Sequence, residues 1–215
     1  MDSFQRARRP EQKDQRRETI LAAARDLAAQ SGVAHVSLGD IAKAVGLVKS
    51  NVLRYFGTRE EIYLLLVRHE GDDWARAVTA ELPQASGFAE VGAVLARAYE
   101  ARPLYCDLTT HVETMLEHNV SVDALRAHKQ WAIGTYMQVG RLIAAAAPPL
   151  TDLDGAALVM TASAFVTKLY PLTRPSPALR ELYDLEPGIA RAFPPFLPTL
   201  QRMITATAAG LPRTP

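Results

Sequence analysis

Polar and basic side chains of the kind that contact nucleic acid gather between Ser37 and Arg59. Lys49 can donate to guanine O6 and N7, and Asn51 can form a paired hydrogen bond with adenine N6 and N7. Arg54 suits a phosphate, which a guanidinium binds without reading sequence. The chemistry predicted is noncovalent recognition of double-stranded DNA. The candidate DNA-contacting residues are Ser37, Lys49, Ser50, Asn51, Arg54, Tyr55 and Arg59.

Two short amphipathic helices joined at a glycine must position this polar set. The first helix has apolar residues at i, i+3, i+4 and i+7 and is capped by Ser37 with Asp40. Gly46 ends it, because only glycine takes a left-handed backbone without a steric penalty. A second apolar face begins beyond Gly46 and turns the polar residues outward, which is the pattern of a helix-turn-helix. The apolar positions are Leu38, Ile41, Ala42, Val45, Leu47, Val52 and Phe56.

The segment from Arg17 to Val67 resembles the N-terminal domain of TetR-family transcriptional regulators. The resemblance covers an alanine-rich first helix, the capping serine, the hinge glycine, an aromatic pair and the polar start of a long helix. It implies a homodimer that binds a palindromic operator on double-stranded DNA and responds to a small-molecule effector. The matching residues are Ile20, Leu27, Gly32, Ser37, Ile41, Ala42, Gly46, Tyr55, Phe56 and Thr58 to Ile62.

Three residues depart from the family pattern in and around the second helix. Val48 stands where the family usually has Ser or Thr, so a helix cap and its phosphate contact are missing. Ser50 replaces a smaller residue and adds a hydroxyl that can donate or accept a hydrogen bond. Leu53 takes the position of a common phosphate-binding Tyr, which leaves more of the phosphate contact to Arg54 and Tyr55.

The composition is that of a globular protein, with 215 residues, 48% hydrophobic and 22% charged. We expect no membrane segment, because no apolar run approaches the roughly 18 to 20 residues required, and we expect a cytoplasmic location. Cys106 is the only cysteine, so no intrachain disulfide forms. Positive charge lies in residues 1–60, with 11 Lys or Arg against 7 Asp or Glu, while residues 61–215 carry 13 against 16.

Helical spacing recurs along the chain and no alternating strand pattern stands out, so the fold class is predicted as all-α. A flexible basic arm at 1–13 would precede a three-helix helix-turn-helix domain at 14–60. A larger helical ligand-binding and dimerisation domain would occupy 61–215. Long proline-free windows permit helices within them. Helices are predicted at 14–31, 38–45, 49–55, 59–82, 88–101, 104–118, 121–146, 153–170 and 195–210.

Two C-terminal segments, residues 154–172 and 193–211, are rich in small and apolar side chains and carry little charge. TetR-like proteins dimerise through their last two long helices in a four-helix bundle, and these segments match those helices. We therefore predict a homodimer interface here; the alternative is that the same apolar stripes pack within one chain. The predicted interface residues are Leu158, Ala162, Leu169, Leu197, Leu200 and Ile204.

Aromatic and sulfur-containing residues alternate with polar ones between residues 99 and 137. In TetR-like regulators the corresponding middle helices enclose a small-molecule pocket, so this set indicates an apolar or aromatic ligand. The absence of Lys and Arg between Arg102 and Arg126 argues against an anionic one. The predicted ligand-binding residues are Tyr99, Tyr105, His111, Met115, Trp131, Tyr136 and Phe165.

The sequence is therefore interpreted as a dimeric repressor that a ligand releases from DNA. It carries no GxSxG turn and no glycine-rich phosphate loop, so we expect neither an enzyme nor a cofactor. We expect no metal, because Glu113 would lie well round the helix from His111 and His118. One alternative is a helical small-molecule binder that acts through a protein partner, with Val48 and Leu53 marking a weakened DNA contact. A third interpretation is a metal- or thiol-dependent sensor that uses Cys106 and the histidines near it.

Overall fold

The computed structural model describes residues 3–193 and 195–211, with side chains from Gln12 onward. Within these ranges the chain forms helices and turns without strands, and the all-α prediction is confirmed. The helices are α1 Ser3–Ser31, α2 Leu38–Ala44, α3 Lys49–Val52, α4 Arg59–Glu81, α5 Gly87–Glu100, α6 Pro103–His111, α7 Val122–Ala146, α8 Asp152–Leu169, α9 Pro177–Leu185, α10 Pro187–Ala192 and α11 Phe196–Gly210. A π-helical turn, Val112–Leu116, follows α6.

By their contacts the residues divide into two compact units. The first unit contains the residues up to Val67 together with His111–His128. The second contains Arg68–Thr110 together with the residues from Lys129 onward. The chain passes from one unit to the other within α4, at the end of α6 and within α7. Sequence reasoning placed 111–128 with the C-terminal domain, whereas its contacts group it with the helix-turn-helix.

The first unit is built on one apolar face of α1, where Ile20, Leu21, Ala24 and Ala28 recur at helical spacing and are buried. α2 packs against α1, and α3 packs against α2. The two short helices and the turn after α3 thus share one small core with α1. Their buried residues are Ile41, Ala42, Val52 and Phe56.

The start and the end of α2 are both set by local sequence. Ser37 and Asp40 form a capping box, in which the Ser37 amide donates to the Asp40 carboxylate at 2.8 Å and the Asp40 amide donates to the Ser37 hydroxyl at 3.2 Å. Hydrogen bonds from the hydroxyl and the amide of Ser37 hold the pKa of Asp40 below its ordinary value. Beyond α2, Gly46 has a φ of 66°, which turns the chain toward α3.

The second unit is organised by α11, which packs against α5 and α8. α7 and α8 also approach each other backbone to backbone, because a Cβ on Gly155 would lie 2.2 Å from the carbonyl oxygen of Gly140. Close helix packing of this kind requires that neither helix carry a side chain at the crossing. The core includes Trp74, Leu82, Leu95, Leu108, Val139, Ile143, Leu158, Val166, Leu200 and Ile204.

Two predictions about helix positions were wrong. α9 and α10 lie between residues 170 and 195, where no helix was predicted; Pro177 and Pro187 occupy first-turn positions, where the missing amide hydrogen costs nothing. α1 begins at Ser3, so the backbone of residues 3–13, predicted as a flexible arm, is helical. Gln, Arg, Glu and Lys dominate that stretch and favour helix. Met1 and Asp2 lie outside the described residues.

The segment Asp152–Thr173, which is α8 with the turn after it, is long and apolar enough by length and composition to cross a bilayer, with a mean hydropathy of 1.2. The expectation that no apolar run approaches the length needed to span a bilayer was therefore wrong. The segment contains a few charged residues, but its many apolar residues keep its average hydropathy high. α8 packs on α11 and buries Leu158, Val159 and Ala162.

Candidate nucleic-acid interface and effector site

The helix α3 presents a polar surface. Lys49, Ser50 and Asn51 are exposed, whereas Val52 is fully buried. The helix is only 4 residues long, and its N-cap residue Val48 makes no side-chain capping bond. The polar set therefore depends on the core contact of Val52 for its position rather than on a cap.

Basic side chains collect in a groove of about 430 Å³ beside α3. Lys13 and Arg16 reach it from α1, which sequence reasoning missed although their spacing of three residues on a helix places them on one face. Three positive charges in a concave surface fit a phosphate backbone. The groove is lined by Lys13, Arg16, Leu47, Asn51, Arg54 and Tyr55.

Arg17 fixes the turn that follows α3. Its guanidinium lies over the ring of Phe56, at 4.2 Å from the ring centroid, and donates to the carbonyl oxygen of Tyr55. Because Phe56 is itself buried, this contact holds the backbone that brings Arg54 and Tyr55 to the groove. Sequence reasoning did not identify this role.

Arg59 does not belong to the DNA-contacting set. Its guanidinium turns inward, where Nε donates to the carbonyl of Val36 at 2.5 Å and Nη2 donates to the carbonyl of Val33. Nη1 pairs with Glu60 at 3.2 Å, and the side chain is only 14% exposed. The prediction of a phosphate contact by Arg59 is therefore corrected, because its donors already bond to the backbone carbonyls of Val33 and Val36 and to Glu60.

Ser37 and Lys49 lie at the other end of the surface. The Ser37 hydroxyl donates to the Asp40 carboxylate at 2.7 Å, so it serves first as the cap of α2. Lys49 is exposed and its Cε lies 2.7 Å from the position that a Cβ on Gly39 would take. The long lysine side chain thus rests on α2 where Gly39 leaves room for it.

Val48 and Leu53 are exposed beside the polar set, to 62% and 44%. An apolar side chain on a DNA-reading helix can contact the methyl group of thymine. Val48 and Leu53 therefore offer contacts to thymine methyl groups, while the basic side chains beside them are unchanged.

Two family models match the chain. Residues 20–66 match the model described as bacterial regulatory proteins, tetR family, and residues 68–215 match the model of the tetracyclin repressor-like C-terminal domain. The chain belongs to the TetR family. It is therefore a DNA-binding transcriptional regulator with a C-terminal domain of the ligand-binding type. Regulators of the TetR family are DNA-binding proteins and not enzymes.

Solved structures share this TetR-family fold over nearly the whole chain. A possible TetR family transcriptional regulator from Streptomyces coelicolor A3(2) is 20% identical with a TM-score of 0.57, covering 91% of this chain and 98% of its own. The fatty acid degradation regulator FadR from Bacillus halodurans is 15% identical, with a TM-score of 0.55 and coverage of 90% and 97%. The multidrug binding protein EbrR, complexed with imidazole, is 21% identical, with a TM-score of 0.54 and coverage of 89% and 94%. No curated protein sequence matches the chain.

Two of the predicted ligand-binding residues, Tyr99 and Tyr105, form a buried aromatic group with Trp74 in the second unit. The tyrosine rings stack with their centroids 5.7 Å apart, and Trp74 lies 5.1 Å from Tyr99 and 6.0 Å from Tyr105. Burial raises the pKa of both phenols, and the phenol of Tyr136 raises them further. Trp131 is half-buried in the same unit and donates to Asp72 at 2.6 Å.

The remaining predicted ligand-binding residues divide between the units. Phe165 lies on α8 in the second unit and is half-buried. His111 and Met115 belong to the first unit, and the sulfur of Met115 accepts from Arg59 at 3.5 Å. The structure therefore separates the contacts of Met115 from those of the aromatic group, which helical spacing alone could not show.

The predicted dimer residues are mostly core residues of one chain. Leu158, Ala162, Leu200 and Ile204 are 0% exposed, and Leu169 is 6% exposed. Leu197 remains half-buried. The prediction is corrected for the five buried residues, because they are already covered within one chain, in which α11 packs on both α5 and α8. The exposed residues Leu153 and Met160 leave an apolar stripe on the other side of α8.

The residues considered for thiol and metal chemistry are buried or dispersed. Cys106 is fully buried, donates to the carbonyl of Tyr99 at 3.2 Å, and has its pKa raised to about 12, mainly by burial. Among the described residues, no group of three or more His, Cys, Asp or Glu side chains is placed to hold a metal ion.

Proposed function

We propose that this protein is a dimeric transcriptional repressor that binds a palindromic operator and leaves it when an effector binds. The observation that carries the proposal is the surface of α3, which exposes Lys49, Ser50 and Asn51 beside a basic groove that Lys13 and Arg54 help to line. Amide and ammonium donors on a short helix flanked by basic side chains suit a helix that lies in the DNA major groove.

In the proposed complex α3 lies in the major groove and reads base edges. Asn51 bonds to adenine and Lys49 to guanine, each good pair discriminating by about 1 to 3 kcal/mol. Lys13, Arg16 and Arg54 neutralise phosphates and set the register. Tyr55 lies among these charges and offers a further hydroxyl to the backbone.

Dimerisation supplies the second half-site. Leu153 and Met160 are 71% and 59% exposed on α8, and Ala164 continues the stripe one turn further on. A surface stripe of this kind on a helix that already packs on α11 suits a four-helix bundle with the same two helices of a second copy. Two copies related by a twofold axis would match a palindrome.

Effector binding is proposed to act through α4. This single helix begins in the helix-turn-helix unit at Arg59 and continues to Glu81 in the unit that contains the aromatic residues. We propose that the effector signal travels along this helix to the turn that follows α3. The proposed location is the cytoplasm, where operator DNA is accessible.

The test is selection of bound sequences from a random duplex pool, followed by salt titration of the selected site. A palindromic consensus whose affinity falls steeply with salt supports a dimeric operator-binding protein. Asn51→Ala should reduce preference for that consensus by about 1 to 3 kcal/mol while binding to random DNA persists. Absence of any selected sequence, from protein shown to be folded, would favour action through a protein partner instead.

A further inference from the structure

The second unit contains a group of aromatic rings with a carboxylate beside it. We call Asp72, Trp74, Tyr99, Tyr105 and Trp131 the aromatic-acidic cluster. The three rings of Trp74, Tyr99 and Tyr105 lie within 5.1 to 6.0 Å of one another and are at most 4% exposed. Asp72 is exposed and accepts from the indole nitrogen of Trp131. A polar exposed edge thus adjoins a buried aromatic interior.

The indole of Trp131 occupies a notch that a glycine leaves in α4. A Cβ on Gly71 would lie 2.4 Å from Cη2 and Cζ2 of Trp131 and 3.2 Å from the hydroxyl oxygen of Tyr105. Contacts that short are impossible, so only glycine at this position admits a flat ring against the helix. The notch therefore has the size of an aromatic ring, and the half-buried Trp131 is the group that fills it.

The Asp72 carboxylate gives the exposed edge of the cluster a negative charge. Burial is the main cause that raises the pKa of Tyr105, and the charge of Asp72 adds to it. Burial likewise raises the pKa of Cys106, and the charge of Asp107 adds to that shift. Aromatic faces carry negative potential, and carboxylates beside them strengthen it, so the combination attracts organic cations.

Trp74 shows that the cluster is not a completed hydrophobic core. Its indole nitrogen is fully buried and has no hydrogen-bond partner among the described residues. Buried N–H groups in folded proteins are nearly always paired with protein or with ordered water, so this nitrogen calls for a partner that is not part of the chain. An acceptor atom on a bound molecule, or a water that accompanies it, would complete this group.

We propose that the aromatic-acidic cluster binds a lipophilic organic cation, with Asp72 as its counter-charge and the notch at Gly71 receiving its apolar body. The inference rests on the proposed function, because it names the chemical class of the effector. A neutral aromatic compound would use the rings without gaining from Asp72, and an anion would be repelled by it. On binding, Trp131 leaves the notch and stays stacked against the bound molecule.

Tetraphenylphosphonium and tetraphenylborate test the charge preference, because they share one shape and differ in sign. Their binding to the full-length protein is measured without DNA, by calorimetry and by tryptophan fluorescence. The phosphonium is expected to bind at least about tenfold more tightly than the borate. Equal affinities, a preference for the borate, or failure of the folded protein to bind the phosphonium would each overturn the proposal.

Asp72→Asn and Asp73→Asn are matched variants that remove one negative charge at adjacent positions of α4. Asp73 pairs with Arg76 at 2.9 Å on the surface. We expect Asp72→Asn to weaken phosphonium binding by at least about tenfold and Asp73→Asn to change it by less than about twofold. Equal effects of the two variants would mean that only the net charge of the protein matters, which contradicts a site at Asp72.

Trp131→Phe keeps a ring in the notch and removes the N–H that Asp72 now accepts. Because the Asp72 carboxylate then accepts no hydrogen bond from residue 131, it is available to the cation, and phosphonium binding should tighten. Weakening as large as that of Asp72→Asn would show that the two residues merely hold the fold, and would refute the assigned roles.

Operator binding on the same preparation separates this proposal from the proposed function. Protein that binds its operator but shows no preference for the phosphonium would refute the cation class alone. Protein that prefers the phosphonium but selects no operator would refute the repressor and keep the cation site. Release of operator by the phosphonium, and not by the borate, is the result expected if both hold.

Discussion

Two arginines close in sequence have opposite surroundings. Arg54 is exposed and lines the basic groove, whereas Arg59 is enclosed by carbonyl oxygens of Val33 and Val36 and lies 4.7 Å from the centroid of the Tyr63 ring. We propose that the exposed guanidinium of Arg54 contributes to DNA affinity and that the enclosed guanidinium of Arg59 contributes to stability. The two residues therefore form a natural matched pair for mutation.

Arg54→Ala should weaken binding to all DNA sequences and reduce the salt slope by about 1 per subunit, because one phosphate contact is lost. Its thermal stability should match the parent protein. Arg59→Ala should lose roughly 2 to 3 kcal/mol of unfolding free energy, because buried carbonyls lose a charged donor. Denaturant unfolding measures the stability of both variants, and salt-dependent DNA binding measures their phosphate contacts. A lowered salt slope in folded Arg59→Ala would show that Arg59 contacts a phosphate after all.

Glu61 ties together two parts of the first unit that are distant in sequence. Its carboxylate accepts from the Gly57 amide at 2.9 Å, from the Ser121 amide at 3.0 Å and from the Ser121 hydroxyl at 2.6 Å. Partial burial opposes ionisation, but the hydrogen bonds from Ser121 and Gly57 outweigh it, so the pKa of Glu61 lies below its ordinary value of 4.5. Glu61 thereby links Gly57, in the turn after α3, to Ser121, which directly precedes α7.

The lowered pKa of Glu61 fixes the direction of a pH effect. A carboxyl whose pKa is lower in the folded state stabilises the fold fully above pH 4.5, and this contribution is lost as the pH falls through the lowered value. Glu61→Gln should lower Tm by about 2 to 4 °C at pH 7, and the difference should shrink in acid. Glu181→Gln, on the exposed surface of α9, is the control. A pH-independent difference for Glu61→Gln would assign its effect to packing.

Among the elements, the crossing of α7 and α8 is the most constrained. A Cβ on Gly155 would meet the backbone of Gly140, which cannot move aside as a flexible side chain can. The crossing is buried on the α8 side between Leu158 and the cap at Thr151. It sets the position of α8, and α8 in turn carries the exposed stripe proposed for dimerisation.

Gly155→Ala should destabilise the fold by about 1 to 3 kcal/mol, because the helices must separate to admit the methyl group. Gly134→Ala is the matched control on α7, where a Cβ would meet nothing within 4 Å. It should stabilise the fold by about 0.5 to 1 kcal/mol, since alanine favours helix. Urea unfolding of both variants compares them. A neutral Gly155→Ala would mean that the crossing relaxes freely.

The success of sequence prediction differs by element for physical reasons. α2, its cap at Ser37 and the turn at Gly46 were predictable, because each depends on residues within a few positions. The direction of Arg59 was not, since its partners Val33 and Val36 become neighbours only after folding. The stripe containing Leu158 and Leu200 was recognised as buried, but periodicity shows that a face is covered without showing whether its own chain or a second copy covers it.

The whole molecule should be active as a pair of chains. Met160→Glu places a charge in the exposed stripe of α8 and should yield monomers in sedimentation, with the operator affinity of a single half-site. Val122→Glu changes an apolar residue that is even more exposed, on the first turn of α7, and should leave the dimer intact. A dimeric Met160→Glu would place the interface on another surface.

The interleaved course of the chain limits how such a protein can be rearranged. The first unit needs residues up to Val67 and also His111–His128, and the link between Glu61 and Ser121 lies inside it. A chimaera joined at residue 67 would therefore carry the helix-turn-helix without His111–His128, which belong to the same compact unit. We therefore expect DNA specificity to be altered more readily by point substitutions on α3 than by exchange of the whole N-terminal segment.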